Sequence, residues 1–436
     1  MVGNNKLGKV VKMRKKAYKI LCLLIFSHQL LPHLYIWIFP LKLYLTILLI
    51  LVFLPYLFRP LYIDPALAVF IALIAALMGA SIGGNIFYEI AKRDDYRDYL
   101  LGFLYLVFVP NIVTNRKEFV GVMLAFLIGS IVNSAFAVTQ YLQIKIGYSL
   151  QSYFIAHSTI SGFDVSEAIR NYRKSGLLPS THMFSYALAI SIPFALCKFC
   201  FVKEVAKRVA YGAASFFLLL GMILSGSRSI ILATIVVMLY LFFNLESRYR
   251  LAITAFSVSV FLVLALVLTT IFPLRLQGVF PHFGRIIYWG EMSSALEDAR
   301  LSTWKCGVNV GLANPIFGSG ADYQSKARAA CGEMILTTDS KVRPPHNQFI
   351  GVFAHYGVIA AIVLILAYYS ILAEIRIVIR YHIFKNEGVI LFCILTSYVI
   401  NSFFHNRGLI NSLDFWFIIG LVFALNRMCK YHKYPT

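Results

Sequence analysis

The feature that most limits the fold of this chain is a series of long apolar segments that recurs from one end to the other. An α-helix rises ~1.5 Å per residue, so ~20 apolar residues cross the ~30 Å hydrocarbon core of a bilayer. Charged residues make up only 14% of the 436 residues, and the mean hydropathy is +0.75. Soluble domains carry roughly 25% charged residues. The sequence therefore predicts an all-α, polytopic membrane protein.

Proline, glycine and clusters of charge divide the apolar segments into about 12 predicted transmembrane helices. These predicted spans cover residues 17–39, 41–58, 66–88, 99–113, 119–142, 179–201, 209–225, 228–244, 251–272, 347–373, 388–404 and 409–426.

The charge of the connecting loops predicts the orientation of these spans. Cytoplasmic loops of membrane proteins carry an excess of lysine and arginine. With the N- and C-termini both placed in the cytoplasm, all the predicted inner loops and the C-terminal tail are basic. Their basic residues are Arg59, Arg116, Lys117, Lys198, Lys203, Lys207, Arg208, Arg248, Arg250, Arg376, Arg380, Lys385, Arg427, Lys430 and Lys433. One predicted outer loop, residues 92–97, also carries three basic residues, together with acidic neighbours.

The formal net charge of +21 raises the question of a polyanionic partner. The basic residues lie at helix ends and do not form one patch interleaved with aromatic residues, as a nucleic-acid surface would require. They favour anionic lipid headgroups instead. A basic N-terminal stretch precedes the first apolar run, and because no small-residue cleavage site follows it, we expect a retained first helix rather than a signal peptide.

Two segments are too polar to lie in lipid, residues 143–178 and residues 273–346. The second divides the chain into helices 1–9 (residues 1–272), a large, partly helical periplasmic loop (273–346), and helices 10–12 with a cytoplasmic tail (347–436). We expect a helix over residues 285–311, ended by the proline and glycines of residues 314–320. We also expect a short surface helix within residues 155–172.

Two cysteines, Cys306 and Cys331, share the large polar segment. If this segment faces an oxidising compartment the two can pair, and the sequence leaves the disulfide open.

Arg228 lies among small residues, Ser225 to Ser229, at the predicted outer boundary between two spans. A guanidinium near hydrocarbon is costly, so it is usually paired or functional. Its planar fork of donors matches phosphate oxygens, which favours a phosphate-binding role. The alternative is an arginine that reaches to the membrane surface from a tight turn.

His346 follows two prolines at the predicted outer start of the tenth span, and these restrict the backbone before it. A histidine can take a proton from a hydroxyl near neutral pH. The alternative role is an interfacial histidine that caps a helix. His182, His282, His355 and His405 are weaker candidates, since none has so constrained a setting. Arg300 lies on the helix predicted in the polar segment, where an isolated arginine is usually solvated.

The sequence contains no Asp-x-Asp or His/Glu cluster for a divalent metal, no G-x-x-x-x-G-K-[ST] loop and no G-x-S-x-G elbow. We therefore expect no metal and no cofactor. Chemistry that rests on arginines and a histidine suits a donor that already carries a pyrophosphate leaving group.

Several motifs, taken in order, resemble the bacterial O-antigen ligase and polymerase superfamily. They are the Ser225-Gly226-Ser227-Arg228 turn, the outer loop with Arg300, Trp304 and residues 314–320, and His346-Asn347. His346-Asn347 followed after nine residues by Gly357 is similar to the ligase pattern H-[NSQ]-x9-G-x-x-G, with Ala360 at the last glycine. Residues 176–182 are also similar to a family segment, although His182 stands where asparagine is common.

The resemblance implies transfer of a polysaccharide from undecaprenyl pyrophosphate to a sugar of the lipid A-core, at the periplasmic face of the inner membrane. It implies that Arg228 and Arg300 bind the pyrophosphate and that His346 orients or deprotonates the acceptor hydroxyl. We expect His346, Arg228 and Arg300 to be catalytic. The expected substrate-binding residues are Arg228, Arg300, Asn347, His182 and Arg173. Because no carboxylate nucleophile is evident, we expect a single, inverting displacement.

Three other functions remain open at this point. An O-antigen polymerase would use two undecaprenyl-linked substrates, and a protein O-oligosaccharyltransferase would use a protein acceptor. A transporter of lipid-linked glycans predicts ionisable residues within the spans and two related halves. The candidate residues instead gather at the predicted outer face, which favours an enzyme.

Overall fold

The computed structural model describes residues 2–30, 35–36, 39–57, 63–86, 93–142, 174–178, 180–244, 293–332, 345–405 and 412–433, with isolated positions at 144, 146, 149, 250 and 254. Its helices are α1 (Val2–Leu30), α2 (Leu41–Leu57), α3 (Pro65–Ile86), α4 (Arg93–Ile112), α5 (Arg116–Tyr141), α6 (Thr181–Phe201), α7 (Val205–Ser225), α8 (Arg228–Asn244), α9 (Ser293–Ala313), α10 (Tyr323–Cys331), α11 (Gln348–Arg380), α12 (Lys385–Ser402) and α13 (Leu413–Lys433). Two 3-10 turns, Gly320–Asp322 and His382–Phe384, precede α10 and α12.

The predicted all-α class is confirmed across these ranges. The described strands are two short antiparallel pieces, Tyr35–Ile36 and Phe39–Pro40, between α1 and α2. Several helices begin at a side-chain cap. Ser180 accepts a hydrogen bond from the Met183 amide at the start of α6, and Asn115 does the same for Glu118 at the start of α5. Such caps satisfy amides that the first turn of a helix leaves unpaired.

The predicted number of about 12 transmembrane helices is not confirmed. Among the described residues, five helical stretches are long and apolar enough to cross a membrane: Arg116–Tyr141, Thr181–Phe201, Val205–Ser225, Gln348–Arg380 and His382–Ser402. Shorter apolar stretches occur at Pro65–Ala76, Gly102–Ile112 and Arg228–Asn244. The predicted ninth span, 251–272, and the predicted surface helix within 155–172 lie outside the described residues.

Polar contacts join the helix ends that carry the predicted inner loops. Arg14 of α1 pairs with Glu118 of α5 at 2.9 Å, and Arg116 pairs with the fully buried Glu387 of α12 at 2.6 Å. Lys430 of α13 binds Asp64, which precedes α3. These ends therefore lie on one side of the helix bundle, which we call the basic face.

A second set of contacts joins the other ends of the helices. His28 of α1 lies 3.3 Å from Asp414 of α13, and the Ser229 hydroxyl of α8 lies 3.1 Å from His405, beyond the end of α12. We call this side the site face. These contacts group the helix ends as the loop charges predicted, with the ends of the basic loops on one face and the other ends on the opposite face.

The centre of the bundle is α6, because nearly all of its side chains are buried. It packs against α5, α7, α8 and α12. Aromatic residues fill the neighbouring core between α4 and α13, where the Trp416 ring occupies the space that a side chain at Gly102 would need. The 16 residues of α6 that are buried include small serines, so polar contacts between helices can form inside this core.

The large polar segment contains the helix that the sequence predicted. Its described part, α9, ends at Ala313, and residues 285–292 of the prediction lie outside the described range. A disulfide between Cys306 and Cys331 joins α9 to α10, so the pairing that the sequence left open is present.

Gly357 breaks α11 and thereby holds the polar segment in place. Its φ of 82° and ψ of −177° are not helical. The break frees two backbone groups of α11. The Val358 amide donates to the Pro315 carbonyl at 2.7 Å, and the Ala354 carbonyl accepts from the Ser319 amide at 2.9 Å. A Cβ at Gly357 would lie 2.1 Å from the Ile316 carbonyl oxygen, so only glycine fits. Ala360, at the other glycine of the motif, is buried with its methyl group accommodated.

Replacing Gly357 by alanine should destabilise the protein by at least about 1–3 kcal/mol, since an L side chain there is strained and also meets backbone. Gly351 is a matched control on the same helix, because a Cβ there has nothing within 4 Å. Gly351→Ala should be neutral or stabilising by up to about 1 kcal/mol. Thermal unfolding of both variants in detergent measures the difference. Equal transition temperatures would contradict the close packing of residues 315–319 against α11 at Gly357.

Candidate functional site

A two-residue turn between α7 and α8 sets the position of Arg228. Gly226 adopts a left-handed conformation (φ 60°) at the end of α7, and the Ser227 amide donates to the Ser225 hydroxyl at 3.2 Å. Arg228 is the first residue of α8 and is exposed on the site face. Arg228 therefore stands at a helix N-terminus, the end of a helix at which negative charge is stabilised.

Directly after Arg228, Ser229 belongs to a buried chain of hydrogen bonds that ties α8 to α12 and α6. The Ser229 hydroxyl donates to Asn401 Oδ1 at 2.5 Å, and Asn401 Nδ2 donates to the Ser185 hydroxyl at 3.3 Å. Ser185 in turn donates to the His182 carbonyl at 2.8 Å. The donors all point the same way along this series of hydrogen bonds. The series joins α8 to α12 and α12 to α6, and so restrains the relative positions of the three helices.

The direction of this chain also fixes a histidine tautomer. The Ser229 hydroxyl has one proton, which goes to Asn401, so it can only accept from His405 Nε2 at 3.1 Å. His405 must therefore carry its proton on Nε2. The Ser227 hydroxyl, 3.0 Å from the Ser229 hydroxyl, is a second donor to it. His405 is buried, with 6% of its surface exposed.

Three histidine rings follow one another on the site face. The rings of His182 and His405 have centroids 4.3 Å apart, and those of His182 and His346 are 6.2 Å apart. Tyr186, one turn after His182, has its ring centroid 6.0 Å from that of His405. These ring contacts and the contact of His405 with Ser229 bring together His346, His182 and the helix that begins with Arg228.

The start of α11 positions His346. The Asn347 side chain caps the helix by accepting from the amides of Phe349 and Ile350, at 2.9 and 3.1 Å. Asn347 is 4% exposed, so its amide oxygen is engaged in holding the backbone after His346. Gln348 is buried and accepts a hydrogen bond from Tyr368 at 3.1 Å. Within the described residues, the Gln348 Nε2 atom is buried without a hydrogen-bond partner.

One face of α9 brings Arg300 to the same region. Helical periodicity places Arg300 on a stripe with Trp304, Gly307 and Gly311. A side chain at Gly307 would meet Ile350 and Pro345, at 2.7 and 3.1 Å, and one at Gly311 would meet the Phe353 ring of α11.

Trp304, one turn after Arg300, lies near the end of α12. Its ring centroid is 6.4 Å from that of Phe404, the neighbour of His405. Its buried Nε1 atom has no hydrogen-bond partner in the part of the chain that is described.

The segment 174–178 packs beside the turn between α7 and α8, which precedes Arg228. The Lys174 amide donates to the Leu224 carbonyl at 2.9 Å, just before Ser225. The Gln140 side chain of α5 binds both the amide and the carbonyl of Gly176. Burial lowers the pKa of Lys174 to about 8. Arg173, a predicted substrate-binding residue, lies outside the described residues.

The structure brings four of the predicted residues, Arg228, His346, Asn347 and His182, to the site face, and it brings the backbone of Arg300 there. Their roles remain predictions. His355 lies elsewhere, with its ring against Tyr323 at 4.3 Å and its Nδ1 3.2 Å from the Gly320 carbonyl oxygen. His282 is outside the described residues.

His405, a weaker candidate by its sequence setting, is as constrained in the structure as His346. Ser229, Asn401 and Ser185 were not among the predicted site residues. A signal was present, since Asn401 and His405 lie one helical turn apart at the outer end of a predicted span. In the described ranges, no three His, Cys, Asp or Glu side chains are grouped so as to hold a metal ion.

A family model matches the middle of the chain. No curated protein matches the chain. Residues 213–365 match the family model described as O-antigen ligase. The matched region contains Arg228, Arg300, His346 and Gly357, whereas His182 and His405 lie outside it. The family that the motifs predicted is therefore confirmed, and residues 213–365 are identified as a domain of the O-antigen ligase-like family.

Proposed function

We propose that the protein is an O-antigen ligase, which transfers a polysaccharide from undecaprenyl pyrophosphate to a hydroxyl of a lipid A-core sugar. One observation carries this proposal. Arg228, His346 and the backbone of Arg300, which are far apart in the sequence, converge on one face of a membrane protein whose matched domain is described as O-antigen ligase.

Arg228 and Arg300 would bind the pyrophosphate of the donor. Arg228 is exposed at the N-terminus of α8, so its guanidinium and the helix amides can act on the same anion. Negative charge grows on the pyrophosphate as the bond between the anomeric carbon and the phosphate oxygen breaks. Positive groups already in place stabilise that charge without reorganisation.

His346 would activate the acceptor. The acceptor hydroxyl oxygen forms a bond to the anomeric carbon while the bond to the pyrophosphate oxygen breaks, and the hydroxyl proton passes to the His346 imidazole. Undecaprenyl pyrophosphate leaves with the electron pair. A single displacement of this kind inverts the anomeric configuration. Asn347 supports the step indirectly in this mechanism, since its side chain caps the helix that begins after His346.

The site face would lie in the periplasm and the basic face in the cytoplasm of a bacterial inner membrane. The Cys306–Cys331 disulfide supports this orientation, because disulfides persist in oxidising compartments such as the periplasm. The positive charges of the basic face support it as well, since loops rich in lysine and arginine stay in the cytoplasm.

Alanine at Arg228 should lower ligation by about 10²–10³-fold, the usual cost of losing one preorganised donor. Alanine at His346 should lower it by about 10²–10⁴-fold. Arg328, exposed on α10, and His382, exposed on the basic face, provide matched controls whose alanine variants should keep full activity. Purified protein, a lipid-linked donor and a lipid A-core acceptor provide the assay. Normal turnover by a folded His346→Ala or Arg228→Ala variant would refute these roles.

Deletion of the gene for this protein from its host distinguishes a ligase from a polymerase. Unsubstituted core with polymer left on the lipid carrier is the result expected for a ligase. Core that bears a single repeat unit would instead indicate a polymerase. Movement of the donor across the membrane without formation of any product would overturn both enzyme functions.

We expect the hydrogen bond from His405 to Ser229 to hold the start of α8 in position rather than to transfer a proton. His405 is buried beside His182, and its contact with Ser229 lies at the start of the helix that bears Arg228. Glutamine can donate from its own Nε2 but does not titrate. His405→Gln should therefore keep most of the turnover and an unchanged pH profile, whereas His405→Ala should lose at least about tenfold. A Gln variant as impaired as the Ala variant would show that the imidazole itself carries protons.

A further inference from the structure

The outward side of α9 carries an unexpected row of exposed apolar residues. Leu301, Val308 and Leu312 are 51%, 36% and 64% exposed, and they recur at helical spacing on one face. Ile316 and Phe317, in the turn after the helix, are each 54% exposed. Lys305 is the charged residue within this row. A helix surrounded by water would present a polar face here.

Other sides of α9 are already occupied. One of them packs on the start of α11 through Gly307 and Gly311. Another carries Cys306, which joins α10 through the disulfide. The apolar row is thus not the side by which α9 attaches to the protein.

This row continues into the apolar surface of α11. The Val358 amide is bonded to the Pro315 carbonyl, so Ile316 and Phe317 lie beside the Gly357 break. Beyond the break, α11 exposes apolar side chains along its length: Val358, Ile359, Ile362, Ile365, Leu366 and Tyr369. An apolar helix surface of this extent faces lipid in a membrane protein. The row on α9 is continuous with it.

The length of α11 indicates how deep in the membrane the break at Gly357 lies. From Val358 to Arg380, the helix after the break would extend ~34 Å at ~1.5 Å per residue, slightly more than the ~30 Å hydrocarbon core. Arg376 and Arg380, both exposed, mark its end on the basic face. Gly357 then lies at the opposite boundary of the core, and the C-terminal end of α9 lies next to that boundary.

We propose that α9 is an interfacial helix, whose row of Leu301, Val308, Leu312, Ile316 and Phe317 is inserted in the phospholipid leaflet on the site face. Helices of this kind bury an apolar face at the boundary between headgroups and acyl chains. Lys305 reaches from the row to lipid phosphates, since a lysine stem can lie along apolar surface while its ammonium stays at the headgroups.

This placement differs from the expectation that residues 273–346 lie outside the lipid, because it puts one face of α9 into the leaflet. It also gives α9 a role that rests on the proposed function. A helix fixed in the headgroup layer holds Arg300 at the depth at which the pyrophosphate of a lipid-linked donor must lie.

Nitroxide accessibility in phospholipid nanodiscs tests the proposal with the full chain. Spin labels are placed singly at positions 308 and 312 through Val308→Cys and Leu312→Cys, in a Cys22→Ser background. The remaining free cysteines of the described ranges are buried. Ile362→Cys is the reference for lipid, and Ala330→Cys, at an exposed position of α10, is the reference for water.

Labels at 308 and 312 should collide more with oxygen than with a water-soluble nickel chelate, as at 362, while the label at 330 shows the reverse. A nickel preference at both positions would place the row in water and overturn the proposal. Protection from both reagents would mean that protein covers the row, either a second copy or another segment, and would overturn it as well. None of these outcomes depends on ligase activity, so failure of the proposed function would leave this test intact.

Discussion

The structure of the site depends on one buried chain of hydrogen bonds, from His405 through Ser229 and Asn401 to Ser185. In an apolar interior an unpaired hydroxyl or amide is costly, so each member of such a chain restrains its neighbours. This series of hydrogen bonds passes through Ser229, one residue after Arg228, and Ser185 extends it to the His182 carbonyl. It therefore sets the relative positions of three helices at the points where their candidate side chains emerge.

A second constraint connects the polar segment to these helices. The break at Gly357 exposes an amide and a carbonyl of α11, and residues 315–319 bind both of them. The disulfide and the close contacts of Gly307 and Gly311 then fix α9 against the start of α11. Because of these contacts, Trp304 reaches Phe404, and Arg300 comes to the same face as His346. The candidate site thus consists of two parts, one within the helix bundle and one bound to the bundle through α11.

Much of this was predictable from local sequence. The length and apolar character of the segments predicted helices, and α8 begins and ends at its predicted residues, 228 and 244. Loop charge predicted which helix ends share a face. The chemical type of Arg228 and His346 marked them as candidates, since an arginine near lipid and a histidine after two prolines are both unusual.

Other features depend on contacts between distant residues, which no local pattern contains. His405 acquires its setting from Ser229, 176 residues away, so its own neighbours gave little indication. The need for glycine at 357 comes from the Ile316 carbonyl oxygen. The apolar row of α9 was masked by the average polarity of its segment, because only one side of that helix is apolar.

We propose that the lipid-linked pyrophosphate binds where α9 meets the ends of α6, α8, α11 and α12. The most direct measurement is a cryo-EM structure of the full chain in a lipid nanodisc with undecaprenyl pyrophosphate bound. We expect pyrophosphate density within hydrogen-bond distance of Arg228 and Arg300, with the His346 imidazole on the side where the sugar would be attached. Pyrophosphate density at the basic face, or on the site face away from Arg228, would contradict it.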